Sequence, residues 1–219
     1  MLLTQTEIHA SCLLFDMDGT LLDSHAPMIR AYSAWAARYG LNVETVLREA
    51  QGRRTIDTIR AFAPPGTDVE ADNAEVMRRE REDLDGVVAI AGARALLESI
   101  PENRWAVVTS ADRALALARL SAAGLPTPPL LISAEDVTHG KPAPDGFLLG
   151  ARRLNAAAQR SIVFEDSMAG IRAGIAAGAR VIAIATTLSV DELGDQACLK
   201  DMSGLRVEAD GAGLVLRVN

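Results

Sequence analysis

The sequence predicts an α/β protein: a doubly wound, Rossmann-like parallel sheet whose chain is interrupted after the first strand by a small helical domain. Two observations carry this expectation. From Gly92 onward, short continuous apolar runs alternate with helical segments, which is the pattern of a parallel sheet covered on both faces. Between residues 25 and 86 the chain offers consecutive helical patterns with no strand between them.

The elements follow in order. Residues 12–15 (CLLF) form a buried strand ending at Asp16. Residues 27–39 then place Ile29, Tyr32, Trp35, Ala36 and Tyr39 on one helical face, followed by helices over 43–50 and 55–62, the last broken by Pro64 and Pro65, and a charged helix over 69–84. The chain rejoins the core near residues 87–90, so the core is expected over 1–24 and 87–219 and the inserted domain over 25–86. Further strands are expected at 105–108, 161–164 and 181–185. The helices between them carry their own stops: residues 92–100 end at Pro101, 113–123 at Gly124 and 168–177 at Gly178, while 145–154 follow two prolines. After Thr187 the pattern is weak, and only a short strand or helix at the sheet edge is expected.

Composition narrows the function. Of 219 residues, 49% are hydrophobic but only 4% aromatic, so the core is built from Ala, Leu, Val and Ile, and the chain is not disordered. A net charge of -7 repels nucleic acid backbones and anionic membranes, leaving a small-molecule partner. Cys12 and Cys198 lack the spacing of a zinc site and read as buried thiols. The first residues lack a basic start and a long apolar run, so a cytoplasmic protein is expected, and its size suits a monomer.

The chemistry-bearing residues sit where strands end. Asp16 and Asp18 stand two apart in DMDGT; taken alone this is equally a solvated turn, but a calcium loop fails because Gly is fourth and Pro27 twelfth. Thr109 and Ser110 follow WAVV and can cap a helix, cradle phosphate, or do both. Lys141 lies in the proline-fixed loop HGKP. Glu165 and Asp166 end the run SIVF, where acids also suit a helix start; beside Asp16 they would repel one another unless a divalent cation sat among them. In open α/β sheets ligands bind outside the carboxyl ends of the strands, so these segments converge on one crevice.

FDMDGT, VVTS, GKP and VFEDSMAGIRAG, in this order, resemble the four motifs of the haloacid dehalogenase superfamily in its phosphatase branch. The resemblance implies that Asp16 attacks phosphorus and becomes an aspartyl phosphate, and that Asp18 acts as acid and then base. It implies Mg²⁺ held by Asp16, the Asp18 carbonyl, Asp166 and Glu165, with Lys141 and Thr109 binding the phosphoryl oxygens. It also makes the inserted helices a cap. GRRTIDTIRAFAP and KPAPDGFLLG are similar to segments of glycerol-phosphate and 2-deoxyglucose-phosphate phosphatases, which implies a sugar or polyol phosphate as substrate and directs Arg53 or Arg54 from the cap into the cleft. A phosphosugar mutase is the nearest rival, but the mutase-like members carry a histidine twelve residues after the nucleophile and Met28 stands there. Dehalogenases lack the second acid that Asp18 supplies. A phospho-aspartate signalling receiver shares the residue types, but carries no helical insert and has its nucleophile on a later strand.

Overall fold

The structure, a computed structural model, describes residues 1–211 and 213–218. A strand β1 (Thr6–Ala10) precedes β2 (Cys12–Phe15), and a short β3 (Leu22–Asp23) leads into four consecutive helices. These are α1 (His25–Tyr39), α2 (Val43–Ala50), α3 (Thr55–Phe62) and α4 (Val69–Glu82). The chain returns through β4 (Val88–Ala89), which pairs antiparallel with β3, so the two connections run side by side. Alternation then sets in: α5 (Ala93–Ser99), β5 (Trp105–Val108), α6 (Arg113–Ala122), β6 (Leu131–Ile132), α7 (Asp145–Arg153), β7 (Ser161–Glu165), α8 (Met168–Ala176), β8 (Arg180–Ile184), α9 (Val190–Leu193) and β9 (Cys198–Leu199). Two further strands, β10 (Leu205–Ala209) and β11 (Leu214–Val218), follow.

The central sheet is parallel in the order β6-β5-β2-β7-β8-β9, which places β2 and its Asp16 in the middle. Strand side chains alternate faces with a period of two. Leu13 and Phe15 therefore join one core with Val107, Phe164, Ile182 and the helical Leu97 and Leu120, while Cys12 and Leu14 join the other with Val108, Val163, Phe147 and Ile171. Phe15 stacks on Phe164 at 4.8 Å, locking β2 to β7 just below the site. Helices on both faces make the sheet doubly wound, and the two cysteines are buried and free. Among the described residues, no helix is long and apolar enough to cross a membrane.

Helices α1–α4 enclose a core of their own around Tyr32, Trp35, Val46, Ile59 and Val76. Helix α1 begins at His25, two residues before the expected start, because Pro27 falls in the first turn, where no N–H is required of it.

The carboxyl-terminal region departs most from expectation. A short strand does close the sheet edge, as β9, but β1, β11 and β10 also form a separate antiparallel sheet over the first core. Leu205, Val207, Leu214, Leu216 and Val218 point inward. Their alternation is that of strands with one exposed face, and it is split between the two ends of the chain.

Candidate active site

Asp16 follows β2 directly, its N–H bonded to the Phe164 carbonyl at 2.9 Å, so the sheet ladder itself carries the chain to this carboxylate. The turn after it returns on Gly19, whose φ is +82°. A Cβ there would lie 2.1 Å from Asp166 Oδ2, so only glycine lets this loop approach the neighbouring acid so closely. Thr109 extends β5 with its N–H on the Ile132 carbonyl at 2.9 Å, and Glu165 ends β7. The carboxyl ends of β2, β5 and β7 thus bring Asp16, Thr109, Glu165 and Asp166 to one place, and the loop before α7 adds Lys141.

Each of these five residues is at least nine-tenths buried. Asp16, Glu165 and Asp166 each present an oxygen within 4.8 Å of the others. Lys141 Nζ donates to Asp16 Oδ1 and, at 2.6 Å, to Glu165 Oε1. Glu165 Oε2 is taken up by the backbone N–H groups of Asp166 and Ser167, both at 2.9 Å, and by the Ser167 hydroxyl at 3.0 Å. Asp166 accepts from Thr20 Oγ1 at 3.2 Å and from the Thr187 hydroxyl.

Three carboxylates against one ammonium leave two formal negative charges out of water, and the titration of the group reflects it. Burial drives Asp16 well above the usual carboxyl range against the pull of Lys141, with Glu165 and Asp166 adding to the rise. Burial and then Glu165 push Asp166 up to about 8. Burial works to lower the Lys141 ammonium, but the Asp16 and Glu165 carboxylates outweigh it and hold the lysine above its ordinary value.

Asp18 stands slightly apart. Its Oδ1 accepts from Ser24 Oγ at 2.6 Å and from Arg119 at 3.0 Å, while the residue opens onto a cleft of about 480 Å³ that Asp166, Ser24, His25, Met28, Gln51 and Thr187 also line. The helices reach over this cleft through the loop after α2. Gly52, at φ +72°, accepts from Ser110 Oγ at 2.8 Å, and a Cβ on it would stand 2.1 Å from Ser167 Oγ.

The two adjacent arginines part company. Arg54 pairs with Asp57 at 2.7 Å, donates to the Thr138 carbonyl at 3.2 Å and lines a small cavity with Thr109, Ser110 and Lys141. Arg53 pairs with Glu49 at 3.3 Å and faces an outer cleft with Arg48 and Arg172. Sequence reasoning passed over Thr20, Ser24, Ser167, Thr187 and Arg119. Thr20 and Ser167 carried a signal, since they stand inside FDMDGT and VFEDSMAGIRAG.

Haloacid dehalogenase-like hydrolases match this chain over residues 13–184, from β2 to β8. The chain belongs to that family. The resemblance read from the four motifs is thereby borne out. Among curated members, hexitol phosphatase A of Escherichia coli is 42% identical over 175 residues, 78% of this chain and 81% of that one. Glycerol-1-phosphate phosphohydrolase 2 of Saccharomyces cerevisiae is 34% identical over 91% of this chain and 86% of its own. A solved β-phosphoglucomutase from Clostridium difficile superposes with a TM-score of 0.78 over 90% of this chain and 93% of that chain, at 18% identity, which speaks for the shared fold.

Proposed function

We propose that this hydrolase removes phosphate from a small sugar or polyol phosphate through an aspartyl phosphate on Asp16. The observation that carries the reading is the buried group Asp16–Lys141–Glu165–Asp166, with the semi-exposed Asp18 two residues from the nucleophile and facing an open cleft. The curated relatives named for hexitol and glycerol-1-phosphate hydrolysis point to the substrate class.

In this reading an Asp16 oxygen bonds to phosphorus as the ester oxygen leaves, and Asp18 gives that oxygen its proton. Water then bonds to the same phosphorus, Asp18 takes the water's proton, and Asp16 is released with inorganic phosphate. Lys141 binds one phosphoryl oxygen while staying on Asp16 and Glu165. The Thr109 hydroxyl and the N–H groups behind it bind another. Arg54, beside Thr109 and Lys141, joins this phosphate-facing set, and Arg53 is left to the outer cleft.

The donor set fits magnesium: hard carboxylate oxygens, buried together with two formal negative charges in excess. Asp16, Asp166 and the Asp18 carbonyl would hold the ion. Glu165 offers the cluster an oxygen as well, but its lone pairs already serve Lys141, Asp166 and Ser167, so its part is to anchor the lysine. When bound, the ion supplies positive charge to the phosphoryl oxygens. Residues 25–86 serve as a cap that excludes water and reads the organic part of the substrate. Met28, lining the cleft where the mutase-like members have histidine, favours transfer to water over transfer back to sugar.

The test is phosphate release from a panel of hexitol, glycerol, 2-deoxyglucose and fructose phosphates with Mg²⁺. Turnover highest on a polyol phosphate and absent in Asp16→Asn is expected. Release no greater than that of Asp16→Asn on every member would refute it.

A further inference from the structure

Arg119 lies on α6, outside every motif, and is 4% exposed. Its guanidinium joins two carboxylates: Nη1 donates to Asp18 Oδ1 at 3.0 Å and Nη2 to Glu80 Oε1 at 2.8 Å. Glu80 belongs to α4 of the inserted helices and is itself 4% exposed. A neighbouring pair ties the same two helices, since Arg81 donates to Asp112 Oδ2 at 2.9 Å and Asp112 caps the start of α6.

This arrangement is costly to build. A buried ion pair must overcome the desolvation of both partners, and Arg119 Nε is left without a hydrogen-bond partner among the described residues. Hydrophobic residues of the same volume would hold α4 to α6 as well or better. What they would not do is orient Asp18. Its Oδ1 receives both the Arg119 guanidinium and the Ser24 hydroxyl, whereas Oδ2 has no hydrogen-bond partner among the described residues. Ser24 stands at the N-cap of α1 yet makes no side-chain cap bond, its hydroxyl being turned to Asp18 instead.

We infer that Arg119 is a positioning residue for Asp18, holding Oδ1 against the protein so that Oδ2 carries the proton into the cleft, and that Glu80 makes this hold depend on α4 being seated against α6. The inference rests on the reading of Asp18 as acid and base. In the first step the Oδ2 proton passes to the ester oxygen as its bond to phosphorus breaks and the Asp16–phosphorus bond forms. In the second, Oδ2 takes a proton from water as the water oxygen bonds to phosphorus and Asp16 departs. An alkoxide leaving group needs that first proton; p-nitrophenolate, a weak base, departs without it.

The experiment compares the wild-type chain with Arg119→Met, Arg119→Lys and Glu80→Gln in Mg²⁺, on sorbitol 6-phosphate and on p-nitrophenyl phosphate, by stopped flow and steady state. Since a general acid is worth about 10²–10⁴-fold, Arg119→Met is expected to lower kcat on the polyol phosphate by roughly 30-fold or more with little change in KM. On p-nitrophenyl phosphate the first-turnover burst should stay near the wild-type rate and give way to a slow steady state, because only the second step needs the base. Arg119→Lys and Glu80→Gln should show the same split in weaker form, and if Arg119→Met fails to fold they carry the comparison. Equal losses in burst and polyol turnover would mark a merely structural residue and overturn the inference, as would turnover unchanged on both. A wild-type chain that hydrolyses neither substrate would overturn the phosphatase reading with it; an active wild type with unaffected variants overturns the inference alone.

Discussion

Asp166→Asn is expected to stabilise the metal-free protein while abolishing its activity. Asp166 titrates near 8 in the folded chain, because it is buried and faces Glu165; an unfolded Asp titrates near ~3.9. The folded state therefore binds this proton more tightly, so its stability is greatest below the unfolded value and is lost as pH rises toward 8. At pH 7 about three units of that interval have been crossed, which at ~1.36 kcal/mol per unit costs about 4 kcal/mol. Asparagine carries no such cost and can still accept from Thr20 or Thr187, though one hydroxyl must turn to suit its amide. A gain of about 2–4 kcal/mol follows, raising Tm by roughly 4–16 °C for a chain of this length. Melts followed by circular dichroism in EDTA at pH 7 and pH 5 test it. The difference should shrink at pH 5 to less than half its value at pH 7, where most of the penalty has not yet developed. Added Mg²⁺ should raise the wild-type Tm and leave the variant's nearly unmoved. A variant no more stable than wild type at pH 7, or a gain independent of pH, would refute the account of the cluster as a set of carboxylates held in excess.

Removing metal should have the complementary effect on activity: EDTA abolishes phosphate release, Mg²⁺ restores it and Ca²⁺ does not, since its larger shell admits both oxygens of a carboxylate and misdirects Asp16. Lys141→Ala should lower kcat/KM on every phosphate ester alike. It should also cost the metal-free fold about 3–5 kcal/mol in urea denaturation, because Asp16 and Glu165 lose their buried counter-charge. Arg54→Ala should act on polyol and p-nitrophenyl phosphate equally, with kcat/KM falling by roughly tenfold or more. Arg53→Ala, whose side chain faces the outer cleft, should harm only the polyol phosphate, and equal losses from both arginine variants would undo that division.

The sheet and the buried site were legible because both are written locally. CLLF, WAVV and SIVF are each buried at every residue, and a fully buried strand needs no alternation to be found. Parallel strands in a doubly wound sheet also deliver their carboxyl ends to one edge, so Asp16, Thr109 and Glu165 could be placed together from their positions after apolar runs alone. The antiparallel sheet of β1, β10 and β11 was hidden for the opposite reason. The pairing of β1 with β11 joins Thr6 to Val218 and Ala10 to Leu214 across the whole chain, so no local window displays it, and only the β10–β11 hairpin is local. Edge strands of two residues, such as β6 and β9, fall below the length at which any period can be read.

Helix α4 shows where local reading reverses the physics. Its sequence, VEADNAEVMRRERE, looks like a solvated face laced with i,i+4 pairs, and Glu75 with Arg78 and Arg79 behaves in that way. Two of its acids do not. Asp72 is 3% exposed and takes Trp35 Nε1 at 2.8 Å and Arg38 at 3.1 Å, closing the helical core, while Glu80 takes Arg119 from a helix 39 residues away. A buried carboxylate is tolerated only with a partner, and the partner's place is set by tertiary packing that no window of sequence contains. The same packing decides what the acid does. Asp72 finds its partners within the inserted helices and serves their stability, whereas Glu80 finds its partner in the core, on Arg119, which also touches Asp18. Two acids eight positions apart on one helix, with similar burial, thereby come to hold different things together: one the inserted helices to themselves, the other those helices to Arg119 and Asp18.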